Sequence, residues 1–67
     1  MNKFLLEEIA RLSGYHVDDI CIDQCAFADR IGWRASIEIG GNVVVETTLY
    51  QSDEEALKAL IAKYVVE

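Results

Sequence analysis

Proline is absent from the chain, histidine and tryptophan occur once each, and lysine and arginine are outnumbered by aspartate and glutamate, six against twelve. With no proline and 52% apolar residues, the composition is that of a folding chain, not of a disordered one. The shortage of bases leaves a net charge of -6 and a pI near 4.5. Such a surface repels phosphate backbones and anionic membranes and attracts basic surfaces. No apolar run reaches membrane-spanning length. Met1-Asn2-Lys3 leads into Phe4-Leu5-Leu6, but Glu7-Glu8 interrupts at once, so no signal peptide is expected and the cytoplasm is the expected compartment.

Chemistry is scarce too. His16 stands beside no nucleophile or ligand set and reads as a structural residue of the connector Tyr15 to Asp19. No Ser-His-acid, Cys-His or paired-carboxylate arrangement occurs, and Gly40-Gly41 opens no helix, so no phosphate loop is present. Cys21 and Cys25 lie four residues apart. In an extended strand that is about 13 Å, too far for a disulfide, and His16 alone does not complete a zinc site with them. In a cytoplasmic protein they should be reduced thiols. No enzyme activity, cofactor or metal is expected.

What the sequence does carry is a fold. Its 67 residues suffice for one domain, 1-67, near the lower size limit for unaided folding. From Ile31 to Tyr50 the chain alternates: Trp33, Ala35, Ile37 and Ile39, then Gly40-Gly41-Asn42, then Val43, Val45, Thr47 and Leu49. That pattern predicts a β-hairpin. A two-residue Gly40-Gly41 loop would set Ile39 against Asn42 and Ala35 against Glu46. A three-residue loop pairs Ile39 with Val43, Ile37 with Val45, Ala35 with Thr47 and Trp33 with Leu49, and is preferred because it keeps one face apolar. The other face then holds Arg34, Ser36 and Glu38 beside Val44, Glu46, Thr48 and Tyr50, either solvated or an interface.

A first helix is predicted over about residues 3 to 13, with Asn2 as N-cap, Gly14 just past its end and Glu7 paired with Arg11. Its apolar stripe is Leu5, Leu6, Ile9 and Leu12, with Phe4 and Ala10 alongside. A second helix follows Ser52, which forms a capping box with Glu55. Asp53 and Glu54 favour its N-terminus electrostatically, Glu54 pairs with Lys58, and Ala56, Leu57, Leu60, Ile61, Tyr64 and Val65 form its apolar face. Ile20 to Ala28 is the first strand, with a turn around Asp29-Arg30, and its facing stays open. A bulge near Asp23-Gln24, the preferred reading, turns Cys25 and Phe27 inward. Without it, Phe27 joins Val44 and Tyr50 on the outer face as an exposed apolar patch.

The predicted class is therefore α+β: a two-layer sandwich of a three-stranded antiparallel sheet with two helices on one face, in the order αβββα. That order, with a second helix opened by Ser52 and carrying Ala56 four residues on, resembles the double-stranded-RNA-binding domain. In that family the start of the second helix is lysine-rich and grips phosphates. The matching positions here are Asp53, Glu54 and Glu55, and the first helix offers Glu7 and Glu8, so the resemblance implies the fold with its binding surface reversed in sign. Direct nucleic-acid binding is disfavoured.

In size, charge and economy the chain is similar to small phage-encoded inhibitors of host defence, anti-CRISPR proteins among them. The function expected is that of an acidic protein-interaction module docking on a basic, nucleic-acid-binding surface of a partner protein. Its candidate residues are the acids that local structure leaves unexplained: Asp18, Asp19, Asp23, Asp29, Glu38 and Glu46. The alternatives are a homodimeric scaffold using Arg34, Val44, Tyr50 and Phe27 on the outer sheet face, and a divergent double-stranded-RNA-binding-like domain relying on Arg30, Arg34, Lys58 and Lys63.

Overall fold

The computed structural model describes residues 3–65, with the side chain of Phe27 outside that description. Helix α1 spans Lys3–Ser13, a 3-10 turn spans Val17–Asp19, strands β1, β2 and β3 span Ile20–Phe27, Arg30–Ile39 and Asn42–Glu46, and helix α2 spans Asp53–Ala62. The sheet is antiparallel in the order β1-β2-β3. The class and element order are those the sequence predicts.

Helix α1 ends where Gly14, at φ 82°, donates its N–H to Ala10 O at 2.9 Å. A left-handed residue is what terminates a helix this way, and glycine adopts it without a Cβ clash. Asn2, the expected N-cap, lies outside the described residues. Two other expectations for α1 fail. Arg11 pairs with Glu8 rather than Glu7, and Phe4 is 84% exposed, because the helix buries its Ile9 side against α2.

Helix α2 starts as predicted: the Ser52 hydroxyl accepts the Glu55 N–H at 3.2 Å, and Lys58 Nζ lies 3.6 Å from Glu54. Its Ala56, Leu57 and Leu60 are fully buried, and with Ile9, Ala35 and Ile37 they make one core between the helices and the sheet. Each large aliphatic side chain buried there stabilises by ~1.5–3 kcal/mol. Val65 stays half exposed, past the end of the helix, and does not extend this face.

The hairpin turn corrects the predicted register. Ile39 pairs with Asn42 across a two-residue Gly40-Gly41 loop, whose φ values of 59° and 84° are both positive. Two positive φ angles are what the tight turn favoured by strand twist requires, and two glycines supply them. The sequence pattern is then restored by a bulge. Glu38 pairs with Val43 and Ile37 with Val45, so Val44 is the extra residue. From there Ala35 meets Thr47 as predicted: Thr47 N–H donates to Ala35 O at 2.9 Å, and Thr47 Oγ1 accepts from Ala35 N–H at 3.1 Å. A second extra residue follows, and Trp33 exchanges two backbone hydrogen bonds of 2.8 Å with Tyr50 instead of pairing with Leu49.

Strand β1 has no bulge. All eight of its residues pair in one register with β2, from Ile20 opposite Ile37 to Phe27 opposite Arg30. The expected bulge was to hide Cys25 and Phe27, but of the described β1 side chains only Ile20 and Ile22 pack against the core. Gln24, Ala26 and Ile31 share the covered side and are nevertheless exposed, Ile31 at 71%. A ten-residue helix is about 15 Å long, shorter than an eight-residue strand at about 26 Å, so that end needs no apolar lining.

Candidate functional site

With both helices on one side, no helix or strand among the described residues covers the other face of the sheet. Alternation along the ladders puts Cys21, Asp23 and Cys25 of β1, and Gly32, Arg34, Ser36 and Glu38 of β2, on this open face. Glu46, paired with Ser36, and Val43, paired with Glu38, join them from β3. Asp23 is directly opposite Arg34, and Arg34 Nη1 lies 3.7 Å from Glu46 Oε2. Two predicted acids, Asp23 and Glu46, thus flank Arg34, and a third, Glu38, lies four residues further along β2 on the same face. The Arg34 Nε is buried without a hydrogen-bond partner, so its donor capacity is not used up by these carboxylates.

The remaining predicted acids lie around this face rather than on it. Asp18 and Asp19 form the 3-10 turn that delivers β1, and Asp29 lies in the β1–β2 turn at the opposite end. His16 caps the 3-10 turn, its Nδ1 accepting the Asp18 N–H at 3.1 Å, in keeping with a structural role. Of the four outer-face candidates, Arg34 is at the centre and Val44 is exposed in the bulge. Tyr50 is a correction: paired with Trp33, it packs against the core on the covered side. The extra residue before it turned the alternation over. Phe27 ends β1 opposite Arg30, and its side chain lies outside the described residues.

The same slip brings Leu49 to the open face. A Cβ placed on Gly32 would lie 2.9 Å from Leu49 Cβ and 3.0 Å from Tyr50 O, so the chain crosses directly over this glycine. Beside it an open groove of about 420 Å³ runs between Cys25 and Thr47, with Arg34, Glu46 and Leu49 in its lining. Sequence reasoning passed over Gly32, although a glycine inside a strand is a signal for close backbone approach.

Cys21 is tied into the acidic surface. Hydrogen bonding towards the Glu38 carboxylate, followed by burial and the negative charge of Glu38, Asp23 and Asp19, raises the Cys21 pKa above the ordinary thiol value. Because the folded pKa is raised, the associated stability is present below the usual thiol range and is lost as pH rises through the folded value. In a Cys25→Ser background, alkylation of Cys21 should therefore reach its half-maximal rate at a higher pH than a free thiol. Glu38→Gln should move that midpoint down. An unmoved midpoint would contradict the assignment of Glu38 as the cause.

No family model matches the chain, and neither the curated proteins nor the solved structures provide a match. No helix among the described residues is long and apolar enough to cross a membrane.

Proposed function

We propose that the protein is a small acidic interaction module that docks its open sheet face on a basic surface of a partner protein. The observation that carries this reading is the one-sided sheet: both helices cover one face, while the other carries Asp23, Glu38 and Glu46, with Asp23 and Glu46 flanking Arg34. Exposed Val43 and Val44 adjoin the acids and supply apolar contact area. Proteins that hold nucleic acid present basic surfaces of the matching sign, and a phage-type inhibitor of host defence is the kind of protein that would exploit one. The αβββα order supports a double-stranded-RNA-binding-like ancestry no further than topology, since α2 opens with Asp53, Glu54 and Glu55.

The test is capture from nuclease-treated lysate with elution in salt steps. Surface charge pairs weaken as salt screens them. One dominant nucleic-acid-handling protein should elute as salt rises, and Glu38→Lys with Glu46→Lys should weaken its capture by roughly tenfold or more. Glu7→Lys with Glu55→Lys changes net charge equally, away from the face, and should retain the partner. Equal retention by the two double variants would contradict the reading.

A further inference from the structure

The open face ends in two edges, and they differ. Strand β3 is short, five residues, and carries the bulge at Val44. Those are the devices by which proteins blunt an edge against pairing. Strand β1 has eight residues in unbroken register and contains no proline, lysine or bulge.

The direction of its backbone groups follows from the other side of the sheet. Trp33 and Ala35 turn their backbone groups towards β3 and the segment after it, bonding Tyr50 and Thr47. In an antiparallel sheet successive residues alternate edges, so Gly32, Arg34 and Ser36 turn theirs towards Cys25, Asp23 and Cys21. On β1 the intervening residues Ile22, Gln24 and Ala26 therefore point N–H and C=O away from the sheet. The Ile20 N–H is already taken by Val17 O. Among the described residues the free edge is thus a row of unpaired donors and acceptors centred on Gln24.

Charge says what fits there. Between Arg11 and Arg30 the sequence holds no lysine or arginine, but it holds Asp18, Asp19, Asp23 and Asp29. The first two lie at the start of β1, Asp23 in its middle and Asp29 just past its end. A second copy of this chain would set acid against acid, which is destabilising across strands. We propose that the free edge of β1 takes up an extended, lysine- or arginine-bearing segment of the partner as a fourth, antiparallel strand. The proposal rests on the docking reading above and gives its mode: backbone pairing at Ile22, Gln24 and Ala26, with basic side chains on the open face beside Asp23.

The geometry makes an uncommon demand. In an antiparallel addition, the incoming residues that hydrogen-bond Ile22, Gln24 and Ala26 point their side chains to the covered side, and the residues between them point to the open face. A synthetic peptide alternating lysine and valine should therefore bond β1 through its valine backbones and meet Asp23 with a lysine. N-methylation of the valines should weaken binding by about tenfold or more, whereas N-methylation of the lysines should change it by less than about threefold. In labelled protein, the amides of Ile22, Gln24 and Ala26 should shift and become protected from exchange. Equal tolerance of both N-methylated peptides, with shifts at Glu38 and Glu46, would overturn edge pairing and leave the docking face standing. Failure of every peptide to bind at low salt would overturn both. A dimer of the protein alone, with those three amides protected, would overturn the basic segment as occupant.

Discussion

Leu60→Ala is expected to leave most of the protein unfolded at 25 °C. Leu60 is fully buried in α2, in a core with Leu57, Ile9 and Ile37. Truncating a buried leucine costs ~2–5 kcal/mol through lost transfer energy and the cavity left behind. A domain of this size has only ~3–5 kcal/mol of net stability, so the loss is comparable to the whole. Urea titration followed by far-UV circular dichroism should show little or no folded baseline for this variant. Val43→Ala, at a position 50% exposed, should stay within about 0.5 kcal/mol of the parent. Similar midpoints for the two variants would mean that the core does not lie between α2 and the sheet.

The second large effect is expected at Gly32. An alanine there would set its Cβ 2.9 Å from Leu49 Cβ and 3.0 Å from the carbonyl oxygen of Tyr50. That oxygen accepts the Trp33 N–H at 2.8 Å and anchors the chain just before α2, so it cannot give way freely. Overpacking of this kind costs ~1–3 kcal/mol, and Gly32→Val should lie at or above the upper end. The same change at Gly41 meets open space but a φ of 84°, so its cost is the ~1 kcal/mol of a left-handed backbone alone. Hydrogen exchange separates the two mechanisms. Gly32→Ala should deprotect the Trp33 and Tyr50 amides, and Gly41→Ala should leave them protected. Unchanged protection in Gly32→Ala would contradict the crossing of the chain over that glycine.

The elements were legible in the sequence because their signals are local. Ser52 with Glu55, Gly14 after an apolar stripe, and two alternating runs around Gly40-Gly41 each specify a helix end or a turn without help from the rest of the fold. The faces were legible only where the alternation is unbroken. The pattern of β3 can be satisfied by a longer loop or by a tight loop and a bulge, and the two differ in backbone angles that apolar patterning does not encode. The slip after Thr47 was invisible for the same reason, and it moved Tyr50 to the covered side and Leu49 to the open one. The facing of β1 was misread because its far half was assumed to need cover, while α2 is too short to provide it. At the site, Asp23, Glu38 and Glu46 could be named from the sequence as acids that local structure does not use. Their gathering on one face, with Asp23 and Glu46 beside Arg34, could not, because it depends on the registers of two strand pairs.

Amide hydrogen exchange, measured on the protein alone and saturated with its captured partner, tests the docking reading most directly. Added protection is expected on β1, greatest at Ile22, Gln24 and Ala26, and along the strand residues around Arg34, Glu38 and Glu46. The exposed side of α1, around Phe4 and Glu7, should be unchanged. Protection confined to α1 and α2, with the three strands exchanging as in the free protein, would contradict the assignment of the open sheet face as the docking surface.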